Sequence, residues 1–135
     1  MTVQLSTTVR NARLDSIEST ISTAPILTIR TGAPPANCAA ANSGTVLATV
    51  TLPSDWMAAA SGGSKALSGT WQDSAADNAG TAAHFRIHDS SGTTCHIQGT
   101  VTATGGGGDM AVDNAVFAAG QNFTVTSFTL TDGNA

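Results

Sequence analysis

The sequence predicts a mainly β fold, an antiparallel β-sandwich or jelly roll that follows a short N-terminal helical arm. Beyond residue 25, apolar and polar side chains alternate with a period of two, which is typical of half-buried strands. Turn signals rich in glycine, proline, serine and asparagine separate about seven or eight such strands, as in sandwich and jelly-roll folds. Aromatic residues make up 4% of the chain and tyrosine is absent, so the core must use small and β-branched side chains.

Length and charge limit the classes of function. At 135 residues the chain fits one domain, with an arm over residues 1–24 and a β-sandwich over residues 25–135. Charged residues make up 10%, against about a quarter in average proteins, and the net charge is −4. We expect no nucleic-acid partner, because binding DNA requires a basic face that replaces its counterions. A surface so poor in charge is expected to be covered in part by partners.

The sequence predicts neither a membrane span nor a disulfide framework. No stretch approaches the roughly 18 to 20 apolar residues that a membrane span needs. The first residues, MTVQLSTTVRNARLDS, lack the apolar region of a signal peptide, so we expect synthesis in a cytoplasm. Free thiols are expected there for Cys38 and Cys95. A bond between these two cysteines requires a fold that brings them together.

An amphipathic helix is predicted in the arm. Leu14, Ile17 and Ile21 recur at helical spacing, and Ser6 or Thr7 is the expected N-cap. The apolar stripe is thin, and a helix this short is marginal on its own. It therefore needs a surface to lie on, and the sequence leaves open whether its own domain or a neighbouring subunit provides it.

The rest of the chain divides into strands and turns. The loop of residues 31–44 contains two adjacent prolines, which fix φ and lack a backbone donor. Four successive glycines at residues 105–108 cannot form a strand interior and are expected to interrupt the sheet. The strand candidates are residues 26–31, 45–52, 66–73, 82–89, 93–104, 110–117 and 121–132.

The segment TAAHFRIHDSSGTTCHIQGTV holds all three histidines, and its pattern predicts a β-hairpin. A three-residue loop that ends with Gly92 in the left-handed region would pair Ile87 with Cys95 and Phe85 with Ile97. This register places every apolar side chain on one inward face, with Cys95 as a small hydrophobe. The outward face then carries His84, Arg86, His88, His96 and Gln98.

No catalytic residue, metal or cofactor is predicted on this outward face. His84 and His88 lie about 13 Å apart along one strand, at roughly 3.3 Å per residue, so they cannot share one ion. His88 and His96 lie on a diagonal, but a zinc site needs three or four convergent ligands. We therefore expect these side chains to form an exposed polar face or a subunit contact. No nucleophile elbow or phosphate-binding loop occurs in the sequence.

The two tryptophans have two interpretations. Large aromatic side chains usually anchor a core or an interface, and this is the prediction for Trp56 and Trp71. The alternative is a platform on which a sugar ring stacks, which would indicate a carbohydrate-binding module.

A series of short motifs lies within residues 44–131. In chain order these are Gly80-Thr81-Ala82, Phe85-Arg86-Ile87, Ser91-Gly92, Gly99-Thr100-Val101, Gly108-Asp109-Met110, Asn114 and Gly120. The series resembles small virion structural proteins of tailed bacteriophages and prophages, of the capsid decoration or cement type.

The resemblance implies a non-catalytic structural protein that stabilises a phage head by bridging capsid subunits. It implies a homotrimer bound to the major capsid protein on the capsid exterior, assembled in the host cytoplasm, without nucleic-acid or membrane partners. The side chains predicted to form surface or intersubunit contacts are Leu14, Ile17, Ile21, Trp71, His84, Arg86, His88 and His96. Two alternatives stay open, a tail, neck or baseplate component and a carbohydrate-binding receptor module.

Overall fold

The computed structural model describes residues 3–134 and shows a mainly β chain with one N-terminal helix. The elements are α1 Thr7–Ile21, β1 Ile26–Arg30, β2 Val46–Thr51, β3 Ser64–Ala66, β4 Gln72–Asp73, β5 Gly80–Thr81, β6 His84–His88, β7 Cys95–Ala103, β8 Met110–Val112, β9 Val116–Phe117 and β10 Phe123–Thr131. Five predicted strands are present with ends within two residues of the expected ones. The mainly β class with an N-terminal helix is therefore confirmed.

Two predicted strands are each divided by a turn. Gly69, at a φ of +70°, separates β3 from β4, because the left-handed region interrupts an extended chain. Between β8 and β9, Asp113 Oδ1 accepts a hydrogen bond from the backbone of Asn114, and Asn114 Oδ1 accepts one from the backbone of Val116. Such local bonds compete with ladder pairing, so the polar pair ends the strand.

Eight strands form one mixed sheet in the order β2-β1-β6-β7-β8-β10-β3, and β4 pairs with another part of β10. Strands β5 and β9 form a separate two-stranded sheet. The strands of the large sheet pair antiparallel except β7 and β8, which are parallel. The prediction of a wholly antiparallel sheet is therefore wrong at this pair, and the sandwich or jelly-roll arrangement stays a prediction.

The glycine-rich loop explains the parallel pair. Parallel neighbours usually need a long crossover, but residues 104–109 alone join β7 to β8. Gly105 and Gly107 adopt φ values of +87° and +81°, which allow the chain to reverse sharply. The Asp109 carboxylate then closes the loop by accepting hydrogen bonds from the backbone N–H and the hydroxyl of Thr100, at 2.9 and 3.0 Å.

Helix α1 packs on its own domain. It begins at the expected N-cap, where Ser6 Oγ accepts a hydrogen bond from the Val9 N–H at 3.3 Å. Leu14 and Ile21 are buried, and Ile17 is partly buried against the same core. The expectation that Leu14 and Ile21 contact a neighbouring subunit is therefore wrong, because the chain itself covers them.

The core contains a row of four aromatic side chains. Trp56 lies 6.0 Å from Trp71, Trp71 lies 5.5 Å from Phe128, and Phe128 meets Phe85 edge-on at 5.4 Å. Both tryptophans are fully buried. The core interpretation of Trp56 and Trp71 is confirmed. The predicted intersubunit contact of Trp71 is wrong, because its ring lies inside the domain.

The predicted hairpin is present as β6 and β7, in a register two residues away from the expected one. Ile87 pairs with Ile97, and Phe85 pairs with Gly99. Because a shift of two residues preserves the alternation, Phe85 and Ile87 keep the inward orientation that the sequence predicts. A glycine is required opposite Phe85, since a Cβ at Gly99 would lie 2.8 Å from the Phe85 ring.

A β-bulge changes the position of Cys95. The register slips between Ile87 and His88, so that His88 pairs with Cys95 and His96 is the extra residue. Cys95 therefore does not lie beside Ile87 in the apolar core, as predicted. It lies on the opposite face of the sheet, with His88.

Candidate functional site

The sheet face opposite the apolar core carries a buried group of polar side chains, here called the polar face. Strands β1 and β6 supply it through the pairs Thr28–Arg86 and Arg30–His84, with His88 one step further along β6. These five residues are each less than 9% exposed. The prediction that His84, Arg86 and His88 point outward to solvent or to another subunit is therefore wrong.

The polar face is buried because a loop folds over it. Residues 31–45, between β1 and β2, form this covering loop. The loop contains two prolines and many small residues, and several of its backbone carbonyl groups do not pair with a neighbouring strand. These carbonyl groups accept hydrogen bonds from side chains of the sheet. Buried polar groups are tolerated when they are paired in this way.

Arg86 fastens the covering loop to the sheet. The side chain is 1% exposed and donates five hydrogen bonds of 2.6–3.4 Å, which occupy the donors of its guanidinium group. The acceptors are the carbonyl oxygens of Asn37, Cys38 and Ala40, Asn42 Oδ1 and Cys95 Sγ. All five are neutral acceptors, so Arg86 acts here as a structural connector.

Arg30 and His84 lie beside this connector. Arg30 Nε donates to Thr28 Oγ1 at 3.0 Å, and burial lowers the pKa of Arg30, as does the like charge of Arg86. His84 Nδ1 donates to the carbonyl oxygen of Gly32 at 2.7 Å, so the proton lies on Nδ1. His84 Nε2 is buried and has no hydrogen-bond partner among residues 3–134.

The histidines of the polar face predict acid sensitivity. Burial lowers the pKa of His84 and of His88, and the Arg30 and Arg86 guanidinium groups lower both further. A folded-state pKa below the unfolded value of about 6.5 means that the folded protein favours the neutral ring. The free energy of unfolding is therefore fully retained above pH 6.5 and decreases as the pH falls, because the unfolded chain binds protons more readily. We expect the urea midpoint to decrease between pH 7.5 and pH 5.

His96, which is exposed, provides the control for this prediction. A His88→Gln substitution is expected to reduce the pH dependence of the urea midpoint more than His96→Gln does, because His88 is buried and His96 is exposed. A midpoint that rises on acidification over this range would show that the two rings are protonated in the folded protein.

The two thiols meet at the edge of the polar face. A cleft of about 330 Å³ opens there, lined by Cys38, Ala39, Ala40, Ala41, Asn42, Arg86, His88, Thr93, Thr94 and Cys95. Burial raises the pKa of the Cys95 thiol, and a hydrogen bond with the Cys38 thiol raises it further. Both cysteines are free and partly exposed. Because both thiols line this cleft, it can support thiol–disulfide exchange.

A second charged cluster joins helix α1 to the sheet. Lys65 on β3 is 2% exposed, and its Nζ lies 2.7 Å from Asp15 Oδ1 and 2.8 Å from Glu18 Oε2. The ammonium also donates to the carbonyl oxygen of Ala58 at 2.9 Å. Burial alone would lower the pKa of Lys65, but its two carboxylate partners raise it, and Lys65 in turn lowers the pKa of Asp15. Sequence reasoning missed this cluster, because Lys65 follows a glycine turn without any periodic signal.

Removal of the buried ammonium group is expected to loosen the helix. Lys65→Met leaves Asp15 and Glu18 without their cation, and we expect a loss of about 2 kcal/mol in the free energy of unfolding. The loss is smaller than for a fully buried pair, because Asp15 stays 46% exposed and can be hydrated. Urea denaturation monitored by circular dichroism measures it.

Arg13→Met is the matched control, since Arg13 is 55% exposed and makes an ion pair with Asp132. Its effect is expected to stay below about 1 kcal/mol. Equal effects of the two variants would contradict the structural role of Lys65.

Two of the predicted contact residues stay accessible. His96, on the bulge of β7, is exposed, as the sequence predicts. It lines a groove of about 230 Å³ with Ser16, Ile17, Thr20 and Ile21 of α1. The predicted intersubunit contact therefore stays a prediction for Ile17 and His96.

The described residues contain no group of three or more histidine, cysteine, aspartate or glutamate side chains placed to hold a metal ion. Within residues 3–134, no helix has the length and apolar character of a membrane span.

Comparison of the chain with protein-family models, with curated proteins and with solved structures finds no match in any of the three.

Proposed function

We propose that this chain is a capsid decoration protein that stabilises a phage head by bridging capsid subunits and has no catalytic role. The motifs between residues 44 and 131 that resemble virion proteins support this proposal. The main observation in its favour is that buried charged side chains connect parts of the fold to each other. Arg86 and Lys65, two buried charged side chains with three or more partners each, hold a loop and a helix in place, which suits a structural protein.

The surface charge supports the same proposal. Of the five cationic side chains in the sequence, Arg30, Lys65 and Arg86 are buried. The other two, Arg10 and Arg13, lie on α1 and both contact Asp132. Strands and loops therefore present hydroxyl groups and carboxylates to a partner, which favours a neutral or basic protein surface over nucleic acid.

The alternatives differ in how well the structure accommodates them. A tail, neck or baseplate component would use the same kind of surface, and only its position on the particle distinguishes it. The carbohydrate-binding alternative depends on Trp56 or Trp71 as a platform. Both rings are 0% exposed, so neither can stack on a sugar without unfolding of the core.

The test is the position of labelled copies on intact particles. We expect density spaced regularly over the outside of the head, and heads without the protein are expected to release DNA at a lower temperature. A trimer is expected in solution, which sedimentation would show as three times the 13.4 kDa chain mass. Label at a single vertex would support the tail or neck alternative, and particles without the chain would contradict a virion role altogether.

A further inference from the structure

We infer that Cys38 and Cys95 form a reversible disulfide that locks the covering loop onto strand β7. The inference is independent of the proposed function, because it depends only on how the loop meets the sheet. Cys38 lies in the middle of the covering loop, and Cys95 is the first residue of β7. The fold brings together two residues that are far apart in the sequence, which is the condition for a bond between them.

Arg86 holds both cysteines in place. Its Nε donates to Cys95 Sγ at 3.2 Å, while its Nη2 donates to the Cys38 carbonyl oxygen at 2.8 Å. The two cysteines also line the same cleft, so the covering loop places Cys38 beside Cys95. A disulfide requires close Cβ atoms, and the shared contacts with one rigid guanidinium group keep the two cysteines beside each other.

The cleft gives an oxidant access to the pair. Both cysteines are partly exposed in a cleft of about 330 Å³, and His88 pairs directly with Cys95 in the sheet and lines the same cleft. The oxidant that fits is a low-molecular-weight disulfide, RSSR, because thiol–disulfide exchange needs no other cofactor.

The exchange proceeds in two displacements. The Cys38 thiolate attacks one sulfur of RSSR, so that the S–S bond of RSSR breaks and RS⁻ leaves. The Cys95 thiolate then attacks the Cys38 sulfur of the mixed disulfide and displaces the second RS⁻. The two cysteine protons end on the two released RSH molecules. Two thiols are thereby oxidised to one protein disulfide, and RSSR is reduced to two thiols.

The bond would close a long loop of the chain and restrict the unfolded state. The segment from residue 38 to residue 95 includes β2 to β6, and loop closures of this length stabilise proteins substantially. We expect oxidation to raise Tm by about 10 °C. The bond also holds the covering loop down, so amide exchange in residues 36–43 is expected to slow on oxidation.

The experiment compares the reduced and oxidised full-length chain. The protein is incubated with glutathione disulfide, and its intact mass, its reaction with iodoacetamide and its Tm are then measured. We expect a mass lower by two hydrogens, no alkylation, and a Tm increase that dithiothreitol reverses. Peptide mapping is expected to find a linked pair of peptides that contain Cys38 and Cys95.

The single variants Cys38→Ser and Cys95→Ser serve as controls. Each is expected to accept one glutathione at most and to show no increase in Tm. Stable glutathione adducts on the wild-type chain, disulfide-linked dimers, or two thiols that resist oxidation would each overturn the inference. The wild-type comparison stands even if a variant fails to fold.

Discussion

Replacement of Arg86 by methionine is expected to release the covering loop and to lower the free energy of unfolding by about 3 kcal/mol or more. The substitution leaves the carbonyl oxygens of Cys38 and Ala40 and the side chain of Asn42 without their donor. A methionine fills much of the same space, so the loss reports the hydrogen bonds and not an empty cavity. Urea denaturation measures the energy, and amide exchange in residues 36–43 measures the opening of the loop.

A second substitution separates charge from geometry. Arg86→Lys retains the positive charge, but an ammonium group cannot reach five acceptors in a planar fork. We expect it to lose more than half of what Arg86→Met loses. Wild-type stability and a protected loop in both variants would show that the covering loop is held by other contacts.

Trp71→Ala is expected to cost about 4 kcal/mol, because it removes a fully buried indole from the centre of the aromatic row. The indole N–H also donates to the carbonyl oxygens of Trp56 and Ser68, both at 3.2 Å, and these bonds are lost as well. A domain of this size loses a large part of its stability in this way. The measurement is urea denaturation with near-ultraviolet circular dichroism of the remaining aromatic residues.

Trp71→Phe is the milder companion variant. It retains an aromatic ring beside Phe128 but lacks the indole donor, so we expect a loss of about 1–2 kcal/mol with the fold intact. A stable Trp71→Ala protein that has lost only the ability to bind glycans would contradict the core position and favour the carbohydrate-binding alternative.

Elements with a strong local pattern could be predicted from the sequence. Leu14, Ile17 and Ile21 recur at helical spacing, and Ser6 provides the cap, so both the helix and its start were predictable. The inward orientation of Phe85 and Ile87 follows from alternation alone. Such features depend only on residues that are close in the chain.

Burial of the polar face could not be predicted in the same way. Alternation separates the two faces of β6, but it cannot show whether water or another segment covers the polar one. The cover is a loop distant in sequence, whose carbonyl groups bind Arg86 through backbone atoms that every residue type carries. An unusual feature of the sequence, two prolines in a long loop, marks a segment without ladder partners, but it does not say where that segment lies.

The register and the parallel pair have similar causes. The bulge beside His88 adds one residue to β7, and nothing in the local sequence specifies it. The parallel pairing of β7 with β8 follows from positive φ values at Gly105 and Gly107, which glycine permits but does not dictate. Because of the bulge, Cys95 lies on the polar face of the sheet and not in the apolar core, and this places it beside Cys38.

The central structural claim is that the covering loop buries His84, Arg86 and His88 while His96 stays exposed. Modification of the folded protein by diethyl pyrocarbonate at pH 7, read histidine by histidine with mass spectrometry, tests it without any substitution. We expect His96 to react readily, and His84 and His88 to react more slowly by on the order of tenfold or more, since they react only when the covering loop opens. Equal rates at the three histidines would contradict the claim, because they would show that the polar face is exposed to solvent.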